Sequence, residues 1–276
     1  MAETTAGLSG VRRRLESLLA DPSSFATLET LLASESRLPG PRGNLELAAA
    51  FGDCFAGRVL DRPIWQLLRR WLAITPADAP TGDPREFLPF CALQALGAGY
   101  SAAGPPEREE ILDLLRRSAS DERWRVREGV AMGFQRIAEV DFGEAEASFR
   151  SWLPSAPPIE RRAIVASLAH PPALRDAARV AFCLEVSDSI LAGLVSVDRP
   201  ARQATGARVL RQGLEYALSV FVAAAPEPGF AFLRKWASVR DADVRRIVRA
   251  NLGKARLAKR HPAQVMEVAA ILGGHD

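Results

Sequence analysis

The chain has little of what metal sites, disulfide scaffolds and common catalytic centres are built from. Cysteine occurs three times, at Cys54, Cys91 and Cys183, too sparsely for a disulfide framework or a zinc knuckle. Histidine also occurs three times, at His170, His261 and His275, scattered and without ligand-like neighbours. No His-Glu-x-x-His or Cys-x-x-Cys spacing exists, and no Gly-x-Ser-x-Gly elbow presents a nucleophile. Gly97-Ala98-Gly99 follows a helical pattern rather than a strand, so a Gly-rich phosphate loop is absent too. Hairpin signals are few, and Thr, Tyr and Ile are sparse, so strands are not expected. Long apolar runs are missing: the stretch Ala217–Ala225 is interrupted by Ser219 and falls short of the about 20 residues a bilayer span needs. No apolar signal core follows a basic start at the N-terminus. The expectation is a cytoplasmic, reduced protein without a membrane partner, its cysteines packed as small apolar side chains. Charge of one sign is lacking as well. Lys+Arg number 36 against 33 Asp+Glu, a formal net charge of +3, so no global field draws the molecule to nucleic acid.

What is present is helix. Apolar residues make up 48% of 276, enough for a sizeable core in one or two domains. They recur at i, i+3, i+4 and i+7: Leu8, Val11, Leu15, Leu18 and Leu19 form one stripe, and Ile64, Leu67, Leu68, Trp71 and Leu72 another. The breaks are helix starts. Asp21-Pro22, Arg62-Pro63, Pro105-Pro106, Pro157-Pro158, Arg199-Pro200 and His261-Pro262 each place proline in a first turn, where its missing N–H costs nothing. Two longer loops, 37–44 and 75–84, contain Pro and Gly without being low in complexity.

Two segments repeat each other. Asp121-Glu122-Arg123-Trp124-Arg125-Val126-Arg127-Glu128-Gly129-Val130 aligns with Asp241-Ala242-Asp243-Val244-Arg245-Arg246-Ile247-Val248, with Val-Arg matched and Val three residues after the Arg in both. Weaker copies of this skeleton start at Arg12, Leu47, Pro89, Arg161 and Arg202. The interval is about 40 residues, the length of a two-helix repeat. The Asp-x-x-Val-Arg-x-x-Val pattern resembles the second, inner helix of a HEAT unit. The resemblance is clearer over 85–276 and extends over 1–84 as N-terminal repeats. It implies an all-α fold, a single right-handed α–α superhelix over 1–276 of about six to seven helix pairs, with the second helices lining a concave face. Physically, one pair cannot bury its apolar stripe alone and must stack on neighbours. Small residues such as Gly129, Ala131, Gly133, Gly206 and Ala207 permit close approach.

In that family repeated Asp and Arg residues bridge one unit to the next. The resemblance casts Arg127 and Arg245 as ladder arginines, with Asp121, Asp241 and Asp243 as acidic partners. Binding would fall to exposed inner-helix residues: Arg125, Glu128, Arg136, Arg246, Arg249 and Lys254. The reading is a non-catalytic scaffold holding a protein partner on a preformed surface, with no cofactor implied. Charge supplies an alternative. Residues 234–260 hold ten basic side chains against two acidic ones, leaving that segment eight positive and the remainder five negative. This is the footprint of a site for duplex DNA, another polyanion or an acidic protein surface, or of a solvated cap on the stack. A second resemblance, more distant, is to the alkylpurine DNA glycosylases built from HEAT-like repeats. In Trp124-Arg125-Val126-Arg127-Glu128, Glu128 stands where that family has its catalytic Asp and Trp124 where it has a flanking Trp. Ala207 occupies a place where that family has Trp. Trp65, Trp71, Trp152 and Trp236 read as packing residues, and Trp124, at the start of an inner helix, as packing or groove-facing.

Overall fold

The computed structural model describes residues 2–274. Within them the chain is all-α, with sixteen α-helices and no strand; His275 lies outside the described residues. The chain divides into two compact units, Met1–Ala145 and Glu146–Asp276. The first holds α1 (Ala2–Leu19), α2 (Phe25–Ser34), α3 (Leu45–Asp53), α4 (Arg62–Leu72), α5 (Phe87–Gly99), α6 (Pro105–Ser118) and α7 (Trp124–Val140). The boundary falls within α8 (Phe142–Trp152). The second continues with α9 (Pro158–Leu168), α10 (Ala177–Ser196), α11 (Arg199–Gln203), α12 (Thr205–Ala224), α13 (Pro226–Ala237), α14 (Ala242–Leu252), α15 (Ala255–Ala258) and α16 (Pro262–Gly273).

The starts obey the punctuation. Proline sits in the first turn of α4, α6, α9, α11, α13 and α16. Asn44, Asp61, Asp176, Asp198 and Asp241 cap α3, α4, α10, α11 and α14 by accepting a backbone N–H two or three residues into the helix.

In the first unit alternate helices pack on one another: α1 on α3, α3 on α5 and α5 on α7, with α2, α4 and α6 laid against this row. α5 is the centre. It is buried almost throughout from Phe87 to Gly99, as a helix apolar on every side must be. Its closest partner is α7, and glycine makes the approach. A methyl group at Gly97 would fall 2.6 Å from the Gly133 Cα, and one at Gly133 would fall 2.7 Å from the Leu93 carbonyl oxygen. Gly129 is similarly hemmed by Phe90 and Leu93.

The second unit repeats the plan. α9, α12 and α14 form one row, and α10, α13 and α16 lie against it. Asn251, fully buried on α14, joins the row: its Oδ1 accepts from the Ser219 N–H at 2.7 Å and its Nδ2 donates to the Leu214 carbonyl at 2.8 Å. The repeat anchors at Arg12, Leu47, Pro89, Arg127, Arg161 and Arg245 all lie on helices of the first rows. Arg202 differs. It lies on α11, and the extended backbone of Ala204 (ψ 146°) separates it from α12.

Replacing Gly97 by Ala is expected to destabilise the fold by about 1–3 kcal/mol through overpacking against α7, more than the helix-propensity gain returns. Gly10→Ala on α1, where nothing lies within 4 Å, should instead gain about 0.5–1 kcal/mol. Urea unfolding of the two variants checks the pair; equal behaviour would contradict the close α5–α7 contact.

Candidate functional site

The start of α7 reads Asp121-Glu122-Arg123-Trp124-Arg125-Val126-Arg127, and all three of these arginines are buried. A guanidinium cannot shed its proton, so burial forces it to collect acceptors. Arg123 donates to both oxygens of the Asp121 carboxylate, at 2.9 and 2.7 Å, and to the backbone carbonyls of Ile74 at 2.7 Å and Ala79 at 3.2 Å. Arg125 donates to the Gly40 carbonyl and, at 3.2 Å, to Glu86 Oε2, a carboxylate with no exposure at all. The same oxygen accepts from the Gly82 N–H at 2.8 Å. Arg127 donates to the Asp121 and Glu122 carbonyls at 2.6 and 2.9 Å. The two long loops of the sequence are thereby fastened to α7.

Beside this network an open, largely apolar cleft of about 240 Å³ is lined by Phe87 and Phe90 of α5, Leu45 of α3, and Trp124, Glu128 and Met132 of α7, with Arg42, Gly43 and Arg125 completing it. Trp124 is 41% exposed, whereas Trp65, Trp71, Trp152 and Trp236 are buried. The Arg125 guanidinium lies 4.4 Å from the Trp124 ring centroid, holding the indole by a cation–π contact. Trp124, Met132 and Glu128 share one side of α7 through i, i+4 spacing. The cleft is thus a preformed apolar recess with charge at its edge, suited to accepting an apolar side chain.

The sequence-predicted residues divide. Trp124, Arg125 and Glu128 come together at this cleft. Arg125 is buried, however, which corrects the expectation that it is an exposed binding residue: its charge is spent on Glu86 and Gly40. Arg136 is corrected likewise, with its side chain 20% exposed, paired with Asp53 at 2.7 Å and donating to the Ala49 carbonyl at 3.0 Å. Arg246, Arg249 and Lys254 lie in the second unit, the first two exposed and Lys254 half-buried.

Of the expected ladder residues, Arg127 and Arg245 reach backbone carbonyls, those of Asp121, Glu122 and Leu272. The carboxylates of Asp241 and Asp243 meet other arginines. Arg202 pairs with Asp241, and Arg211 Nε lies 3.3 Å from Asp243. Burial pushes Asp241 up, but the Arg202 guanidinium and the Val244 N–H outweigh it, and the carboxyl titrates below its ordinary value.

A second set of contacts was readable from a motif that the repeat alignment missed. Leu68-Arg69-Arg70-Trp71, Phe149-Arg150-Ser151-Trp152 and Leu233-Arg234-Lys235-Trp236 share an apolar-Arg-x-Trp pattern, and Leu115-Arg116-Arg117-Ser118 is its copy without the Trp. The motif's Arg reaches forward: Arg69 to Glu110 at 2.6 and 2.7 Å, Arg150 to Glu185 at 2.7 and 3.0 Å, and Arg234 to Glu267 at 3.0 Å. The Trp Nε1 donates to a carboxylate each time, to Glu29 at 2.8 Å, Glu160 at 2.5 Å and Asp188 at 3.0 Å. In each unit the middle helix of the second row, α4 or α13, is therefore tied to both of its row neighbours.

Burial pushes the Cys54 thiol up to about 11, and Cys91 and Cys183 are also raised by burial, so all three remain protonated apolar fillers. Among the described residues no group of three His, Cys, Asp or Glu side chains is placed to hold a metal ion, and no helix is long and apolar enough to cross a membrane. No protein-family model matches the chain, and no curated protein matches it.

Because Arg125 neutralises a carboxylate with no access to water, Arg125→Met is expected to cost about 3–5 kcal/mol. Adding Glu86→Gln, which keeps an acceptor for Gly82, should recover at least about 1 kcal/mol. Denaturant titration of both variants tests the pair; an exposed, dispensable Arg125 would show a loss under about 0.5 kcal/mol.

Proposed function

We propose that this chain is a HEAT-like helical repeat protein, a right-handed superhelix of about six to seven helix pairs, that holds a polypeptide partner in the cytoplasm without catalysing a reaction. Two features support the repeat architecture: the recurrence of about 40 residues and the alternate-helix rows found within each unit. The observation that carries the binding reading is the cleft beside Trp124. It is open and apolar, and its walls are fixed by the arginine network rather than by a ligand. A partner inserting one aromatic side chain would bury its ring against the accessible Leu45, Trp124 and Met132 of the cleft at low ordering cost. Exposed Trp side chains at pocket edges are frequent energetic centres of interfaces.

The test is selection from a random peptide display library on the full chain, followed by binding of the selected peptides to Met132→Glu. Selected peptides should share a large apolar anchor and bind the variant about tenfold or more weakly, since a carboxylate would stand in the recess. Peptides that bind both proteins equally would remove the cleft from this role.

One observation favours a second reading. Trp124 and Glu128 line the same cleft, as a glycosylase of the alkylpurine type requires. On that reading Glu128→Gln abolishes base release from alkylated duplex DNA while leaving DNA binding intact. Absence of release by the wild-type chain eliminates the reading, and release that persists in the variant removes Glu128 from it.

A further inference from the structure

The ten cations of 234–260 sort into two classes. Arg234 pairs with Glu267, Lys235 with Asp188 and Arg246 with Glu215, and Arg245 is turned to the Leu272 carbonyl. The acids at the start of α14, Asp241 and Asp243, are taken by Arg202 and Arg211. Arg240, Arg249, Lys254, Arg256, Lys259 and Arg260 have no carboxylate partner among the described residues.

Three of these six gather on one surface. Tyr216, 49% exposed on α12, has Arg256 Cζ 4.7 Å and Lys254 Nζ 5.9 Å from its ring centroid. Its hydroxyl oxygen accepts from Arg256 Nη2 at 2.9 Å. One residue back, Glu215 is neutralised by Arg246 at 2.9 Å. Arg249 follows Arg246 by one turn and shares its side of α14. The surface is therefore an exposed tyrosine holding cations in place, with the adjacent Glu215 already paired.

We propose that this face of α12, α14 and the 254–256 segment binds an acidic segment of a polypeptide. Positive charge without an internal carboxylate partner asks for carboxylate or phosphate oxygens. The choice between them follows from Tyr216. Single-stranded nucleic-acid sites combine a cationic track with aromatic faces free for base stacking, whereas this ring already carries a guanidinium and an ammonium, and three cations fall short of the about six to ten phosphate contacts of strong duplex binders. What remains on offer is charge and N–H donors held in register, which suits flexible Glu or Asp side chains. The inference rests on the polypeptide-binding reading but uses residues apart from the cleft.

The experiment is fluorescence anisotropy on the full chain with a labelled short polyglutamate peptide and, separately, a duplex oligonucleotide, at low and physiological ionic strength. The expected result is peptide binding that weakens as salt rises and falls about tenfold in Arg249→Ala/Lys254→Ala/Arg256→Ala. Lys235→Ala, whose cation is already paired, and Met132→Glu in the cleft should leave it within about twofold. Circular dichroism confirms that the triple variant is folded. Failure of the peptide to bind at low salt overturns the proposal, as does binding indifferent to the triple substitution. Tighter binding of the duplex, lost in the triple variant, also overturns it and assigns the face to a phosphate backbone. Loss of peptide binding in Met132→Glu alone would place the acidic segment at the cleft instead.

Discussion

Burial of arginine at the head of α7 is the constraint on which the rest of the first unit turns. A buried guanidinium carries five N–H donors and a charge that titration cannot remove. Helix α7 cannot satisfy three such groups from its own backbone. Carbonyls of Ile74, Ala79 and Gly40 and the carboxylates of Asp121 and Glu86 are recruited. The loops that supply them are consequently held against the helix, and one of them contributes Arg42 and Gly43 to the cleft. The site's shape is thus a by-product of charge satisfaction, which is why Arg125 can shape the recess while presenting little charge to a ligand.

The packing of rows and the ties between them do different work. Apolar burial on α5, α7, α12 and α14 supplies the bulk of the stability at about 25 cal/mol per Å². The Arg69–Glu110, Arg150–Glu185 and Arg234–Glu267 pairs are substantially exposed, so each contributes at most about 1 kcal/mol. Their value lies in register. A ridge-and-groove contact between helices tolerates sliding by a turn, whereas a bidentate pair such as Arg69–Glu110 or Arg150–Glu185, coupled to an indole N–H on the same helix, does not. Asn251 plays the same part inside the second unit: its two hydrogen bonds to α12, from the Ser219 N–H at 2.7 Å and to the Leu214 carbonyl at 2.8 Å, are satisfied only in one alignment of α12 and α14.

Helix content, helix starts and row membership were legible because each has a local cause. Period and proline position are properties of a few consecutive residues, and they locate the starts of α4, α6, α9, α11 and α16 directly. Leu47 is a weak anchor in sequence yet marks a row helix, since amphipathic spacing alone selects its buried side, and Pro89 lies on α5, whose apolar residues on every side put it at the centre of the unit. Side-chain pairing was less legible. The resemblance implies a ladder role for Arg127 with Asp121, but the Asp121 carboxylate accepts from the Arg123 N–H and guanidinium, and its backbone carbonyl accepts from Arg127. Nothing in the spacing distinguishes a carboxylate partner from a carbonyl one. The exposure of Arg125 was misjudged for a related reason. Its acceptors come from 39 and 85 residues away, and long-range loop placement leaves no periodic trace. The apolar-Arg-x-Trp motif did leave one, at the ends of second-row helices, away from the Val-Arg anchors around which the repeat was aligned.

The two candidate surfaces illustrate how internal pairing separates what holds this all-α fold together from what it leaves exposed. At the cleft, the groups that fix the walls are buried and paired, and the accessible apolar groups are the Trp124 indole, the Leu45 side chain and the Met132 thioether. At the Tyr216 face, the acids near the cluster have been consumed by Arg202, Arg211 and Arg246, so unspent charge collects on Arg249, Lys254 and Arg256. In both places internal pairing decides what is left over: accessible apolar groups at one surface and cations without a carboxylate partner among the described residues at the other. A cation already paired within the fold would have to break that pair before meeting a ligand, and its net gain would be small. Counting basic residues along a sequence therefore overstates a binding surface, and subtracting the paired ones reduces ten cations in 234–260 to the six that have no carboxylate among the described residues.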